Sequence, residues 1–148
     1  MQRETVGRPM EILLIEDSLM AARLTIGALK KSQLEHHLTW LNDGEKAWQF
    51  LTHQAPYAQA PKPDLILLDL LLPGIDGRGL LARLRDDGEL ESIPVVIVTG
   101  AAEEKSRIEQ EQLRVSGVVT KPVNIEEFLS LVLRLKDIWR EDMILPPV

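Results

Sequence analysis

The run Leu65-Ile66-Leu67-Leu68-Asp69-Leu70-Leu71-Leu72-Pro73-Gly74 sets a single carboxylate inside an otherwise apolar stretch. Burying an unpaired charge is costly, so both features are met by a buried strand whose acid emerges at its end among cationic partners. Pro73 and Gly74 close the run as a loop, and it is too short to span a bilayer. Asp69 is therefore a site candidate. The rest of the chain is read for the groups such a carboxylate needs.

Outward from Asp69, short apolar runs alternate with helical patterns. Residues 11–15 predict a strand that ends at Glu16 and Asp17. Ser18 or Asp17 then caps a helix over 19–31, with Met20, Leu24 and residues 26–29 at helical spacing. Residues 37–41 predict a second strand, and 45–53 a helix with Ala47, Trp48 and Leu51 inward. The stretch 55–63 holds three prolines and reads as a surface loop. After Asp69 and a loop with Pro73, Gly74 and Gly77, a helix is expected over about 78–87, with Leu80, Leu81 and Leu84 inward. Residues 93–98 form a strand of β-branched type stopping at Thr99-Gly100, and 103–115 a polar helix. A last short strand, 118–120, ends at Lys121-Pro122, and a final helix runs from near Asn124 to about Glu141.

Five strands alternating with five helices imply the α/β class, a doubly wound five-stranded parallel sheet. One domain over 10–140 is expected, with an N-terminal extension (1–9) and an apolar C-terminal tail (141–148). The 148 residues, 45% of them hydrophobic, suffice for one core. A net charge of -6 and a pI near 5.1 argue against a nonspecific nucleic-acid binder, which needs a basic surface. The absence of cysteine excludes disulfides, thiolate metal sites and cysteine nucleophiles. Residues 1–9 lack the apolar core of a secretory signal, so a soluble cytoplasmic protein without membrane partners is expected.

Ligands of open α/β sheets bind beyond the carboxyl ends of the strands, where strand order reverses. Glu16, Asp17, Asp69, Thr99 and Lys121 stand at those ends, while the second strand supplies nothing comparable. Three crowded carboxylates repel one another and require a cation. An all-oxygen set favours a hard ion, Mg²⁺ ahead of Ca²⁺ because few carboxylates are available and water completes the shell. A metal beside a carboxylate, an ammonium and a hydroxyl suits phosphoryl transfer, with Asp69 attacking in line. His36, His37 and His53 form no ligand set and read as solvated surface residues.

The pair Glu16-Asp17, Asp69 in Asp69-Leu-Leu-Leu-Pro73-Gly74-Ile-Asp76-Gly77, Thr99-Gly100 and Lys121-Pro122 together resemble the response-regulator receiver domains of two-component signalling, the CheY-like family, over about residues 10–140. The resemblance implies the flavodoxin-like (βα)5 fold and a set of roles. Asp69 takes a phosphoryl group from a sensor histidine kinase. Asp17 and Asp69 ligate Mg²⁺ directly, Leu71 lends its backbone carbonyl, and Glu16 acts through a water. Lys121, Thr99 and Gly100 receive the phosphoryl group, and the Lys121-Pro122 bond is cis. Such a module is not an enzyme beyond its own phosphoryl transfer and dephosphorylation.

Two departures stand out. Val118 replaces the Tyr or Phe that the family pairs with the threonine in switching, so output is expected to rely on the loop after Thr99 and on the last helix. Leu71 and Ala101 offer no polar group for positioning water, which predicts slow self-dephosphorylation. Leu71 also stands where an aspartyl-phosphate phosphatase of the haloacid-dehalogenase type, the alternative function, needs its second acid.

In the last helix, Ile125, Phe128, Leu129, Val132, Leu135 and Trp139 form one face, and Leu131, Leu133 and Ile138 widen the apolar arc. The tail Met143-Ile144-Leu145-Pro146-Pro147-Val148 adds more. A helix covered on one side does not need so much, so a homodimer is expected through Leu131, Leu133, Ile138, Trp139, Ile144 and Leu145. The alternative is a tail folded back on its own domain. Trp139 with Leu145-Pro146-Pro147 resembles single-domain regulators that partner phytochrome-type histidine kinases.

Overall fold

The structure, a computed structural model, describes residues 7–135 and Met143. Five strands form one parallel sheet: β1 (Met10–Ile15), β2 (His36–Leu41), β3 (Leu65–Leu68), β4 (Val95–Thr99) and β5 (Gly117–Thr120), in the order β2-β1-β3-β4-β5. Five helices alternate with them: α1 (Leu19–Lys31), α2 (Gly44–Leu51), α3 (Gly77–Arg85), α4 (Ala102–Gln110) and α5 (Ile125–Arg134). The doubly wound architecture is the expected one. β3 and β4 are buried throughout because helices cover both faces, which is why they are written as continuous apolar runs rather than in alternation.

The two faces have separate cores. Alternate strand residues Leu13, Ile15, Ile66, Leu68, Val95 and Ile97 meet α2, α3 and α4 on one side. Ile12, Leu14, Leu65, Leu67, Val96 and Val98 meet α1 and α5 on the other, around the fully buried Phe128. Side chains at the helix starts satisfy free amides: Ser18 accepts from Ala21 N, Asp43 from Lys46 N, Asp76 from Gly79 N and Asn124 from Glu127 N. Each cap fixes where a loop hands over to a helix, and hence the length of the loops that carry the site.

Several expectations are corrected. On α1 the buried stripe is Ala22, Thr25 and Leu29, while Met20 is 73% exposed and Leu19 and Leu24 also face outward. Met20 and Leu24 lie two residues to either side of Ala22, about 160° away on a helix. The small Ala22 and Thr25 are what face the sheet. On α2 Phe50 is buried and Trp48 only partly so. α2 and α4 stop earlier than their patterns suggest because His53 (φ 56) and Gln112 (φ 55) take left-handed conformations just beyond them. α5 ends at Arg134, where Leu135 leaves helical geometry (ψ 82) and packs toward the α1 and α5 side of the core. The remainder of the expected extension to Glu141 lies outside the described residues.

The chain before β1 is tied down. Arg8 pairs with Asp64 at 2.8 Å, and Asp64 also accepts from Glu11 N at 2.8 Å. Met143 bridges to Arg8 and is buried in the α1 and α5 core, so this residue of the tail lies on its own domain.

Candidate functional site

β1 and β3 are neighbours at which the chain order turns from one side of the sheet to the other, and their carboxyl ends open the crevice. Glu16 and Asp17 follow β1 directly, and Asp69 follows β3, with Asp69 N donating to Ile15 O at 3.0 Å. Ligand atoms of Glu16, Asp17 and Asp69 lie within 4.8 Å of one another. Glu16 is 1% exposed, Asp69 is buried and Asp17 faces solvent.

Lys121, delivered by the end of β5, bridges the two buried acids. Its Nζ lies 2.5 Å from Glu16 Oε1 and 3.0 Å from Asp69 Oδ2. The other Asp69 oxygen accepts from Leu71 N at 2.9 Å. Burial, followed by the hydrogen bond to Asp69, pushes the Glu16 carboxyl up to about 7 against the opposing pull of Lys121. Burial alone would lower the Lys121 pKa, but its hydrogen bonds to Glu16 and Asp69 outweigh that and raise it.

Thr99 closes β4 at 3% exposure, and its Oγ1 is buried with no hydrogen-bond partner among the described residues. Its carbonyl accepts from Lys121 N at 2.7 Å, which joins β4 and β5 at the crevice. The Lys121-Pro122 bond is cis. Gly100 follows with open space where a side chain would stand. Val118 is buried in the α2, α3 and α4 core, and Leu71 is 67% exposed beside the acids. Ala101 is the N-cap of α4 and gives no side-chain bond.

Sequence reading missed some supports. Trp40, on β2, donates its Nε1–H to Glu16 O at 2.7 Å, and Leu41 O accepts from Glu16 N at 3.1 Å. The second strand therefore does contribute, by holding the backbone of the acidic loop. No local pattern announces a contact between residues so far apart in the chain. Gly77 allows another: a Cβ there would meet Leu70 Cα at 2.4 Å and Asp69 O at 2.7 Å. The sequence marks Gly77 only as one of the loop residues after Asp69, and the close approach that requires a glycine there joins it to residues at the end of β3.

Of the dimer candidates, Leu131 is half-buried against its own domain, with its side chain over Gly117, and Leu133 is exposed. Ile138, Trp139, Ile144 and Leu145 lie outside the described residues.

The donor set suits a hard cation. Three carboxylates converge with no histidine among the described residues, and the lysine ammonium already supplies positive charge between two of them. The chain belongs to the response regulator receiver domain family, whose profile matches residues 12–133. It is a receiver of two-component signalling.

Several relatives match it over nearly their whole length. It is similar to response regulator Rcp1 of Synechocystis sp., with 40% identity over 138 residues covering 93% of this chain and 94% of that protein. A crystal structure of the Mn(2+)-bound form of Rcp1 superposes with a TM-score of 0.70 over 94% of this chain and 100% of that one. The bacteriophytochrome response regulator AtBRR, 32% identical, gives a TM-score of 0.81 over 90% of this chain and 96% of its own. The phosphorylated cyanobacterial phytochrome response regulator RcpA, 34% identical, gives 0.70 over 94% and 99%. The haloacid-dehalogenase alternative has no support, since the place of its second acid is held by Leu71. No described helix is long and apolar enough to cross a membrane.

Proposed function

We propose that the chain is a stand-alone, cytoplasmic response regulator that accepts a phosphoryl group on Asp69 from the phosphohistidine of a sensor kinase. The observation that carries this reading is the bridge of Lys121 between Asp69 and Glu16 at the mouth of the crevice. A carboxylate oxygen of Asp69 attacks phosphorus as the P–N bond to imidazole breaks, leaving an acyl phosphate on Asp69 and the nitrogen to regain its proton. Lys121 then exchanges carboxylate for phosphoryl oxygen, and the buried Thr99 hydroxyl gains the partner it lacks.

The reading assigns Mg²⁺ to Asp17 and Asp69 directly, to the Leu71 carbonyl and, through a water, to Glu16. Such an ion supplies charge neutralisation of the transferred oxygens when bound. The Mn(2+)-bound form of the relative Rcp1 supports a divalent ion in this family. The bacteriophytochrome and phytochrome regulators among the relatives support a phytochrome-type kinase. Exposed Leu19 and Met20, just after Asp17, and Leu71, two residues after Asp69, support docking of a protein there, because solvent-facing apolar side chains of this size cluster at interaction surfaces.

Output runs through phosphorylation-dependent protein contacts, with a homodimer through α5 and the tail. Sedimentation at micromolar concentration, with and without a phosphoryl analogue, tests the dimer, and a monomer in both would remove it. Slow loss of phosphate follows from Leu71, and a Leu71→Asn variant no faster than wild type would argue against that. The central test is acetyl phosphate with Mg²⁺, read by intact mass. Wild type gains one phosphoryl mass and Asp69→Asn does not; no gain in wild type beside a working donor control overturns the assignment.

A further inference from the structure

At the amino-terminal ends of β4 and β5, the end of the sheet away from Asp69, lies a cavity of about 560 Å³. A second of about 420 Å³ shares Arg85 and Arg114 with it. Arg134 of α5 also lines the larger one, whose apolar wall is Ile93, Pro94, Val115 and Leu135. Glu91 is the one carboxylate among its described lining residues, so three guanidinium groups face one acid.

Arg85 is held in place rather than loosely solvated. Its Nε donates to Arg114 O at 2.8 Å, and its Nη1 donates to Glu91 O at 2.7 Å and Ile93 O at 2.9 Å. A strut between the end of α3 and two loops accounts for those bonds. It does not account for Nη2, which has no acceptor among the described residues, or for two more arginines at the same concavity. Arg114 makes no side-chain ion pair among the described residues, and Arg134 only reaches back to Ser130 O at 3.3 Å.

Burial and then the charge of Arg114 push the Arg85 pKa down. A guanidinium does not give up its proton at such a cost, so the relief available is a counter-charge. The volume falls in the range of small-molecule sites. The described lining carries a net charge of two cations, which matches a phosphate dianion, and Arg85 Nη2 together with the guanidinium forks of Arg114 and Arg134 can donate to its terminal oxygens.

We propose that this cavity binds a phosphomonoester, its phosphate among Arg85 Nη2, Arg114 and Arg134 and its small organic body against Ile93, Pro94, Val115 and Leu135. The site is separate from Asp69 and does not depend on the phosphoacceptor reading.

The probe is phenyl phosphate, titrated into the full chain with EDTA present and followed by amide shifts. Saturable shifts are expected at Ser92, Val115 and Ser116 with a Kd of about 1 mM or tighter. The double variant Arg114→Gln/Arg134→Gln changes two exposed side chains and should bind at least about tenfold more weakly. Glu91→Gln, which removes the opposing charge, should bind more tightly. Inorganic phosphate should bind about tenfold more weakly than the ester, and equal affinity would overturn the role of the apolar wall. Shifts gathered at Thr99 and Lys121, an unaltered double variant or a failure to saturate would overturn the site.

Discussion

Lys121 Nζ stands closer to Glu16 Oε1, at 2.5 Å, than to Asp69 Oδ2, at 3.0 Å. The lysine is therefore a clamp on two acids rather than a partner of the acceptor alone. Lys121→Ala leaves both carboxylates without their cation, and metal-free stability should fall by about 1–3 kcal/mol, below the cost of breaking a fully buried pair because the lysine is partly solvated. Divalent metal should recover more stability in the variant than in wild type, because it replaces a missing charge. Urea unfolding with EDTA and with Mg²⁺ measures both effects, and equal recovery would count against the clamp.

Glu16, with its carboxyl raised from 4.5 to about 7, holds a proton in the folded chain that the unfolded chain has released. Stability without metal should therefore fall as pH rises from about 4.5 to 7, by about 3 kcal/mol in all. Glu16→Gln should flatten that slope. Urea midpoints in EDTA across this window decide it, and a wild-type midpoint that climbs with pH would refute the buried-acid account.

Gly77→Ala sets a methyl against Leu70 Cα and Asp69 O, backbone atoms that cannot swing away. A loss of at least about 2 kcal/mol is expected, with weaker metal binding because the Asp69 loop is displaced. Gly27, inside α1, has open space around it, so Gly27→Ala should stabilise by about 0.5–1 kcal/mol. Thermal melts of the pair separate a packing requirement from ordinary helix preference.

Trp40→Phe keeps the aromatic body and removes the donor to Glu16 O. The buried carbonyl then lacks that bond, at a cost of about 1–2 kcal/mol. Metal affinity should drop severalfold as the acidic loop loosens. A titration of Mn²⁺ against the variant reads this directly, and unchanged affinity would confine Trp40 to packing.

Thr99→Val replaces an unpartnered buried hydroxyl with a methyl of similar volume. Unphosphorylated protein should gain about 1 kcal/mol, since no hydrogen bond is lost and a desolvated polar group is removed. With a phosphoryl analogue, wild-type amides of α4 and α5 should shift and those of the variant should not. Equal shifts in both would place the output elsewhere than the loop after Thr99.

Strand existence and order of elements were legible because β1, β3 and β4 are buried on both faces and must be written as apolar runs, each ended by a polar residue at the crevice. Glu16, Asp17, Asp69, Thr99 and Lys121 were legible for the same reason: a polar residue directly after such a run can only emerge at the sheet edge. Helix ends were less so. His53 and Gln112 stop α2 and α4 in a left-handed conformation that neither residue type announces. On α1, side-chain size points to Met20 and Leu24 as the inner stripe, whereas close packing selects Ala22 and Thr25.

Local pattern sufficed for the parallel α/β class and for the acids and lysine of the crevice, since strand periodicity and the cost of burying charge act residue by residue. Three-dimensional packing settled which acid Lys121 prefers, that Trp40 holds the Glu16 backbone, that Gly77 lies against Asp69, and that Arg85, Arg114 and Arg134 line one cavity at the far end of the sheet. Those relations join residues distant in the chain, and their energies depend on separations of a few ångströms that exist only once the sheet has brought the elements together.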